Sequence, residues 1–248
     1  MISRRRFIAT GASGLLLTGC DRLNRNPEFM GVLQSAEALA MKSQRLIGGR
    51  DSLAREYSEG DLSPIFRSNG TAMPDTSEYA RHVAENFANW RLTVDGLVSR
   101  PLSIPIGTIR SLPSRTQITR HDCVEGWSAI GKWHGVVLAR ILNAAGLSTR
   151  ARYVVFHCAD RFGQYPYYES IDLVDAFHPQ TILAWGMNDR LLPVPNGAPL
   201  RLRVERQLGY KHAKYVQRIQ AVESLAGVYR GKGGFWEDNT GYQWYAGI

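Results

Sequence analysis

The sequence of 248 residues predicts a single α+β domain in which mixed β-sheets are flanked by helices. Segments with strand-like alternation and segments with helical periodicity follow one another in irregular order, which is typical of that class. No internal repeat, low-complexity tract or linker divides the chain. Hydrophobic residues make up 44% of the sequence and charged residues 21%, so the chain can bury a full core.

Residues 1–20 have the composition of an export signal. Three arginines, residues 4–6, precede Phe7 and Ile8, and a short apolar stretch then ends at Cys20. That stretch is too short to span a bilayer, and paired arginines in this position are typical of twin-arginine export in bacteria. The sequence LTGC also resembles a lipoprotein processing site, so lipidation of Cys20 and simple cleavage nearby are both open. We expect a periplasmic protein.

The net charge of the chain argues against a nucleic-acid partner. The net charge of +8 falls to +5 when the three signal arginines are set aside. This surplus is mild and forms no long basic run, so it favours an anionic ligand over a nucleic-acid surface.

Residues 21–62 are predicted to be a tether and an N-terminal helical segment, before a main domain at 63–248. Apolar residues recur with helical spacing from Glu28 to Ile47, which predicts an amphipathic helix. Residues 48–77 are rich in Gly, Pro, Ser and Asn and predict a loop. A loop of that length is typical of a segment that lines a functional site.

The remaining elements follow from local periodicity. Gly146 is expected to end the second of the two main-domain helices as a C-cap. Alternating or continuous apolar runs predict the strands, and Pro-bounded segments predict the turns. The pattern predicts helices at 83–90 and 135–147, a helical turn at 105–113, and strands at 90–98, 116–124, 151–159, 180–187, 199–205 and 214–223.

The three cysteines leave two interpretations open. If Cys20 is processed, Cys123 and Cys158 remain as a candidate structural disulfide. However, a strand runs into Cys123 and a turn with Gly126 follows, which lets the backbone approach a bulky ligand. A thiolate there suits a transition metal, and the usual zinc spacings are absent from the sequence. The pattern is compatible with a metal whose other ligands belong to an organic cofactor.

A second candidate site lies in NGAPLRLRVERQLGYKHAKYVQRI, residues 196–219. Glycine turns at Gly197 and Gly209 surround several basic side chains, an arrangement that can cradle a phosphate. A solvated basic face is the alternative. The C-terminal segment is rich in aromatic residues, which are expected mainly to pack. These residues are Phe235, Trp236, Tyr242, Trp244 and Tyr245.

Taken together, these segments resemble the molybdopterin-binding domain of the sulfite oxidase superfamily. The segment CVEGWSAIGKWHGVVLARIL, residues 123–142, carries the most specific part of the resemblance, and residues 196–219 are nearly as specific. The resemblance runs from about Ser63 to the C-terminus and is nearest to the MsrP-type branch of twin-arginine-exported catalytic subunits. It implies a single sulfite-oxidase-type domain without a C-terminal dimerisation domain, and therefore a monomer.

The resemblance also implies roles for individual residues. Cys123 is expected to be an unpaired thiolate ligand to the molybdenum of a molybdenum–molybdopterin cofactor. Glu125 stands where sulfite oxidases carry a sulfite-binding arginine, and its carboxylate would repel sulfite. We name Cys123 and Glu125 as catalytic candidates, with His121 and Trp127 as supporting residues. The other expected cofactor-binding residues are Asn69, Cys158, Asn196, Arg201, Lys211, His212, Ala213 and Lys214.

The implied function is a periplasmic molybdenum-dependent oxidoreductase that transfers an oxygen atom, as in sulfoxide or N-oxide reduction. No C-x-x-C-H haem motif occurs in the sequence, so electrons must be exchanged with a partner. A membrane b-type haem protein or a soluble cytochrome c is expected. The alternatives are a sulfite-oxidising enzyme, an envelope lipoprotein that kept the fold without the cofactor, and a thiol redox protein using Cys123 and Cys158.

Overall fold

The computed structural model describes residues 27–49 and 51–248. The chain divides into two compact units, residues 1–49 and residues 50–248. The first unit contains helix α1 (Pro27–Gly48), which confirms the predicted amphipathic helix. The predicted export signal and Cys20 lie outside the described residues. Across the described ranges, no helix has both the length and the apolar character needed to cross a membrane.

The second unit alternates strands and short helices, which confirms the predicted α+β class. Its helices are short, and most of its regular structure is strand. The helices are α2 (Ser77–Ala84), α3 (Ile106–Ser111), α4 (Leu138–Ala145), α5 (Leu173–Ala176) and α6 (Phe235–Thr240). The strands are β1 (Arg91–Gly96), β2 (Leu102–Pro105), β3 (Ser114–Asp122), β4 (Ser128–Val137), β5 (Tyr153–Phe162), β6 (Tyr165–Asp172), β7 (Ile182–Met187), β8 (Arg190–Leu191), β9 (Arg201–Arg203) and β10 (Val216–Val222).

The strands form two sheets of five. The first has the order β2-β1-β10-β5-β6, in which only the β1–β10 pair is parallel. The second has the order β3-β4-β7-β8, with β9 also paired to β7, and is antiparallel throughout. The main apolar core draws side chains from both sheets and from α4, among them Leu92, Val136, Leu138, Phe156, Leu183 and Ile219.

The six predicted strands are confirmed as β1, β3, β5, β7, β9 and β10, whereas β2, β4, β6 and β8 were not predicted. The helix predicted at 83–90 is wrong over most of its length, because α2 ends at Ala84 and the positive φ values of Asn86 and Phe87 form turns. The helix predicted at 135–147 begins only at Leu138, since β4 extends to Val137. Gly131 and Gly135 lower the strand propensity of β4. Pairing with β3 on one side and β7 on the other overrides that preference. Helix α4 ends where predicted, and its C-cap Gly146 has a left-handed φ of 68°.

The loop before α2 belongs to the second unit from its first residues. Glu56 forms a bridge to Thr119 of β3, and the Tyr57 amide donates to the Ile118 carbonyl at 2.9 Å. The buried Gln180 side chain accepts a hydrogen bond from the Ala54 amide at 2.7 Å and donates one to the Ala54 carbonyl at 3.0 Å. The compact unit therefore begins near residue 50, earlier than the predicted boundary at 63, because these contacts attach residues 54–57 to the second sheet.

Candidate functional site

The turn between β3 and β4 presents Cys123. The Cys123 amide donates to the Trp127 carbonyl at 2.9 Å, and the Gly126 amide donates to the Cys123 carbonyl at 3.0 Å. Gly126 has a φ of 83°, a left-handed conformation that favours glycine, and no atom lies within 4 Å of where its Cβ would be. The predicted turn is therefore present, and the glycine leaves open space beside the cysteine.

The environment of the Cys123 thiol combines burial with hydrogen-bond donors. The side chain is 8% exposed, and burial raises the pKa of the thiol. Backbone N–H groups of Glu125 and Val124 and the Arg201 guanidinium act in the opposite direction and lower it. These groups would favour a thiolate once a metal ion takes the place of the proton.

A cleft with an empty volume of about 670 Å³ opens above Cys123. The long loop contributes to it, which confirms the expectation that this loop lines a site. The cleft is lined by both polar and aromatic side chains. Its lining consists of Asn69, Gly70, Thr71, Cys123, Val124, Glu125, Asp160, Phe162, Tyr167, Gly209, Tyr210, His212, Lys214, Trp236 and Tyr242.

Lys214 and Asp160 are buried charged residues in the lining of the cleft. The Lys214 ammonium donates to the Asn69 carbonyl at 2.6 Å, the Pro195 carbonyl at 3.0 Å and the Thr71 carbonyl, and so holds the loop in place. Burial, together with Arg201, lowers the pKa of Lys214 to about 7, against the opposing effect of Asp160. Burial raises the pKa of Asp160 to about 6, although Lys214 and the Thr71 hydroxyl lower it.

Arg201 adds a second buried cation. It lies on β9 with no exposed surface, and its Nη1 donates to the Asn196 carbonyl at 3.2 Å. Burial first, and then Arg203, lower the pKa of Arg201 to about 9. Its neighbour Arg203 is neutralised by Glu205 at 2.6 Å, whereas neither Arg201 nor Lys214 has an ion-pair partner within 4.0 Å in the described part of the chain. The region thus carries buried positive charge that a bound anion would balance.

Several polar atoms in this region are buried without a protein partner among residues 27–49 and 51–248. They belong to the residues that the sequence analysis had selected for cofactor binding, together with two others. The atoms are Asn69 Oδ1, Asn196 Nδ2, Arg201 Nε and Nη2, His212 Nδ1, His121 Nε2 and Asp160 Oδ1. Folded proteins rarely leave buried polar atoms unpaired, so such a cluster indicates a polar ligand.

The basic segment that contains His212, Ala213 and Lys214 is buried, so the alternative of a solvated basic face is wrong. His212, Ala213 and Lys214 are 4%, 1% and 7% exposed. Gly209 lies directly on His121, because a Cβ at this position would be 2.5 Å from the His121 Nε2 atom. Burial is the main reason that the pKa values of both histidines fall well below the usual range, so each ring is neutral.

Glu125 lines the exposed edge of the cleft, and Trp127 lies beside it. The Trp127 indole N–H donates to the Glu125 carboxylate at 3.1 Å, which orients the exposed carboxylate beside the cysteine turn. The Trp127 ring is also 5.5 Å from the His121 ring. The structure therefore brings Cys123, Glu125, His121 and Trp127 together, as predicted.

Five predicted cofactor-binding residues are absent from the lining of the cleft. Of these, Arg201 still acts on the pKa of Cys123 and Lys214, Asn196 and Ala213 are its neighbours in the buried basic segment, and Lys211 and Cys158 lie elsewhere. Lys211 is fully buried between Glu169 at 2.5 Å and Glu237 at 2.7 Å, so its charge is used inside the protein and its ammonium does not line the cleft. Cys158 packs in the apolar core, and burial raises its pKa well above the usual range. Cys123 and Cys158 are both free, so the structure has no disulfide between them.

Comparison with known proteins assigns the chain to a family. The sequence pattern of the oxidoreductase molybdopterin binding domain matches residues 80–228. This range covers more than half of the chain and includes Cys123, Arg201 and Lys214. The chain belongs to the molybdopterin-binding oxidoreductase family.

Relatives in this family match most of the chain. A protein from Azospira oryzae, provisionally named protein-methionine-sulfoxide reductase subunit YedZ1, is 44% identical over 248 residues, which cover 99% of this chain and 88% of the relative. The protein-methionine-sulfoxide reductase catalytic subunit MsrP of Campylobacter jejuni is 31% identical over 206 residues, 77% of this chain and 69% of that one. MsrP of Xanthomonas campestris is 34% identical over 171 residues, 64% and 52% of the two chains.

A solved structure supports the fold of this molybdopterin-binding domain. The sulfane dehydrogenase SoxCD from Paracoccus pantotrophus superimposes with a TM-score of 0.50 at 21% identity, covering 55% of this chain and 39% of that one. At this identity the likeness concerns the fold alone.

The residues present fit a molybdopterin cofactor. Its phosphate needs cationic or N–H donors, and Arg201 and Asn196 offer unpaired buried N–H groups in the described structure. Its pterin ring carries N–H donors, which suit the unpaired oxygens of Asn69 and Asp160. Cys123 would supply the protein's ligand to molybdenum. The described residues contain no group of three or more His, Cys, Asp or Glu that could hold a metal without an organic cofactor.

Asp160 is the main functional candidate that the sequence analysis missed. It lies near the end of β5, where the pairing with β6 shifts register between His157 and Arg161. Such irregularities often re-aim side chains beside functional sites. An aspartate inside the otherwise apolar segment YVVFHCAD was the available signal, because charged residues are rarely buried without a purpose.

Asp160 leads to a testable pH dependence. Its folded-state pKa of about 6 lies above its unfolded value near 3.8, so the unfolded state binds fewer protons between about pH 4 and 6. The free energy of unfolding should therefore fall as pH rises through this window, and Asp160→Asn should remove that contribution. Urea unfolding of the cofactor-free protein at several pH values tests this. Parallel pH profiles for the two proteins would contradict the assignment.

Proposed function

We propose that this protein is a molybdenum-dependent reductase of organic sulfoxides, with methionine sulfoxide as its principal substrate class. The observation that carries the proposal is the single thiol of Cys123 beside a cluster of buried, unpaired cationic and polar atoms in the described structure. The names of the Azospira and Campylobacter relatives support sulfoxide reduction. The molybdenum centre would supply two-electron redox chemistry and accept an oxygen atom.

The reaction balances with two electrons and two protons. The sulfur–oxygen bond of the sulfoxide breaks, the sulfur is reduced to a thioether, and the oxygen leaves as water. The sequence contains no C-x-x-C-H haem motif, and we propose that a haem protein, either a membrane b-type cytochrome or a soluble cytochrome c, supplies the electrons. We place the reaction in the periplasm, because residues 1–20 resemble a twin-arginine signal, with or without lipidation of Cys20.

The chain's own residues would position the cofactor and exclude small dianions from the cleft. Lys214 holds the Asn69–Thr71 loop against the cleft, so that the loop presents Asn69 to the cofactor. Trp127 holds Glu125 at the rim, where its carboxylate disfavours a small dianion such as sulfite through charge repulsion. These contacts support sulfoxide reduction over the alternative of sulfite oxidation.

The structure disfavours the two alternatives that do not use the cofactor. A thiol redox protein needs two accessible thiols, whereas Cys158 is buried in the core and its pKa is raised well above the usual range. An envelope lipoprotein that had lost the cofactor would have no reason to retain unpaired buried atoms on Arg201 and Asn196, which lack partners among the described residues.

Turnover by the protein exported through its native route tests the proposal. With a reduced viologen dye as electron donor, we expect oxidation of the dye to depend on a peptide containing methionine sulfoxide. We expect no comparable reduction of ferricyanide when sulfite is supplied instead. Sulfite-dependent reduction of ferricyanide without sulfoxide turnover would reverse the assignment, and a metal-loaded protein inactive in both assays would overturn it.

A further inference from the structure

Four aromatic side chains form part of the lining of the cleft. We call Phe162, Tyr210, Trp236 and Tyr242 the aromatic wall. The Trp236 and Tyr242 rings are stacked, with their centroids 5.9 Å apart. The centroid of the Tyr242 ring is 5.0 Å from that of Tyr210, and the centroid of the Trp236 ring is 5.2 Å from that of Phe162. Two of the four residues come from the C-terminal segment, which the sequence analysis expected mainly to pack.

Buried contacts fix α6, and with it Trp236. Glu237 of α6 forms the ion pair with Lys211 inside the protein. The next residue, Asp238, accepts the Tyr168 hydroxyl at 2.5 Å and the backbone N–H groups of Arg230 and Lys232 at 3.1 and 3.0 Å. Trp236 is therefore preorganised, which limits the ordering entropy that ligand binding would cost.

The mouth of the cleft exposes large apolar side chains. Val124, next to the cysteine, is 42% exposed, and Tyr242 is 38% exposed. Both line the cleft. A lining with many apolar and aromatic side chains and a few polar groups is typical of a site for a small ligand with an apolar part.

We propose that Trp236 and Tyr242 bind the carbon substituents of the substrate and so select organic sulfoxides over small inorganic anions. This inference rests on the proposed function and assigns its specificity to two residues. The methyl group, methylene groups and sulfur of a methionine sulfoxide side chain match an aromatic surface in polarity and polarisability. The lining also contains Lys214 and unpaired polar atoms of Asn69, Asp160 and His212, which would hold polar groups of the cofactor.

A larger substrate should gain more binding free energy from contact with the aromatic wall. A methionine sulfoxide within a peptide reaches the stacked rings with its side chain and the rim with its flanking residues. Dimethyl sulfoxide has only two methyl groups and covers less of the wall. Loss of an aromatic ring should therefore weaken binding of the peptide more than binding of dimethyl sulfoxide.

Steady-state kinetics of the metal-loaded variants Trp236→Leu and Tyr242→Ala test the inference, again with a reduced viologen dye as donor. We expect each variant to raise KM for the methionine sulfoxide peptide roughly tenfold, the effect of losing one good aromatic contact. We expect a smaller change in KM for dimethyl sulfoxide and little change in kcat for either substrate. Trp236→Phe, which retains a ring, should recover most of the wild-type KM for the peptide.

A matched control separates the wall from general damage. Tyr165 is 47% exposed and does not line the cleft, so Tyr165→Ala should leave both KM values unchanged. Molybdenum content, measured for each variant, should equal that of the wild type. Equal rises in KM for both sulfoxides, or no rise for either, would overturn the inference while leaving sulfoxide reduction intact. A wild type inactive with every sulfoxide would overturn both proposals.

Discussion

Replacing Cys123 by serine is expected to reduce the molybdenum content of the exported protein from about one atom per chain to nearly none. A serine hydroxyl is a harder and far less acidic ligand than a thiol, so it is a poor replacement for the thiolate at a metal that is otherwise bound by soft sulfur ligands. Sulfoxide reduction should fall below detection as a consequence. Metal analysis by mass spectrometry, together with pterin fluorescence after oxidation, provides the measurement.

The fold should survive this change, because Cys123 lies at a turn rather than in the main apolar core. Circular dichroism and urea unfolding of the variant should therefore match those of the cofactor-free wild type. Cys158→Ala is the matched comparison, since Cys158 packs in the core and does not line the cleft. We expect that variant to keep its molybdenum. A Cys123→Ser protein that retains molybdenum would refute the assignment of the metal ligand.

Replacing Lys211 by methionine is expected to destabilise the protein by about 3–5 kcal/mol, because it leaves two buried carboxylates without their cation. Lys211 and Glu169 have no exposed side-chain surface, and Glu237 has 1%. Burial lowers the pKa of Lys211, but the two carboxylates outweigh this effect and raise it, so the ammonium is retained. Urea unfolding of the cofactor-free protein at pH 7 measures the loss.

The loss should depend on pH with a definite sign. Burial first, and then Glu237, already raise the pKa of Glu169 well above its usual range, and removing Lys211 raises it further. A carboxyl group whose pKa is higher in the folded state favours folding at low pH. The deficit of Lys211→Met should therefore be smaller at pH 5 than at pH 8, and adding Glu169→Gln should restore part of the stability.

An exposed ion pair serves as the comparison. Arg150 and Glu223 are 69% and 52% exposed and lie 2.5 Å apart. Arg150→Met should change the unfolding free energy little, because solvent screens exposed pairs. If Lys211→Met were as mild as Arg150→Met, the buried ion pairs would not anchor α6. The position of Trp236 on the aromatic wall would then need another explanation.

The local signals in the sequence were strong where backbone geometry or charge is set by nearby residues. Gly146 predicted the end of α4 and Gly126 predicted the turn beside Cys123, because few other residues adopt their left-handed φ. The two most specific segments, residues 123–142 and 196–219, also carried the family resemblance that residues 80–228 confirm. The family and most of the strands were therefore predictable.

Other features depended on which residues meet across the fold. Nothing local distinguishes Lys211 from Lys214, yet one lies between two buried glutamates and the other holds a loop at the cleft. Likewise, Trp236 and Tyr242 line the cleft, whereas Trp244 contacts Tyr153 and Ser170.

The sequence by itself therefore determined the family, the fold class and the cysteine at the site. Only the tertiary structure decided which basic side chains are neutralised inside the protein, that Asp160 faces the cleft, and which aromatic rings form its wall. The physical reason is that charge balance, burial and ring packing depend on contacts between residues distant in sequence, and those contacts exist only after the two sheets and the C-terminal segment have assembled.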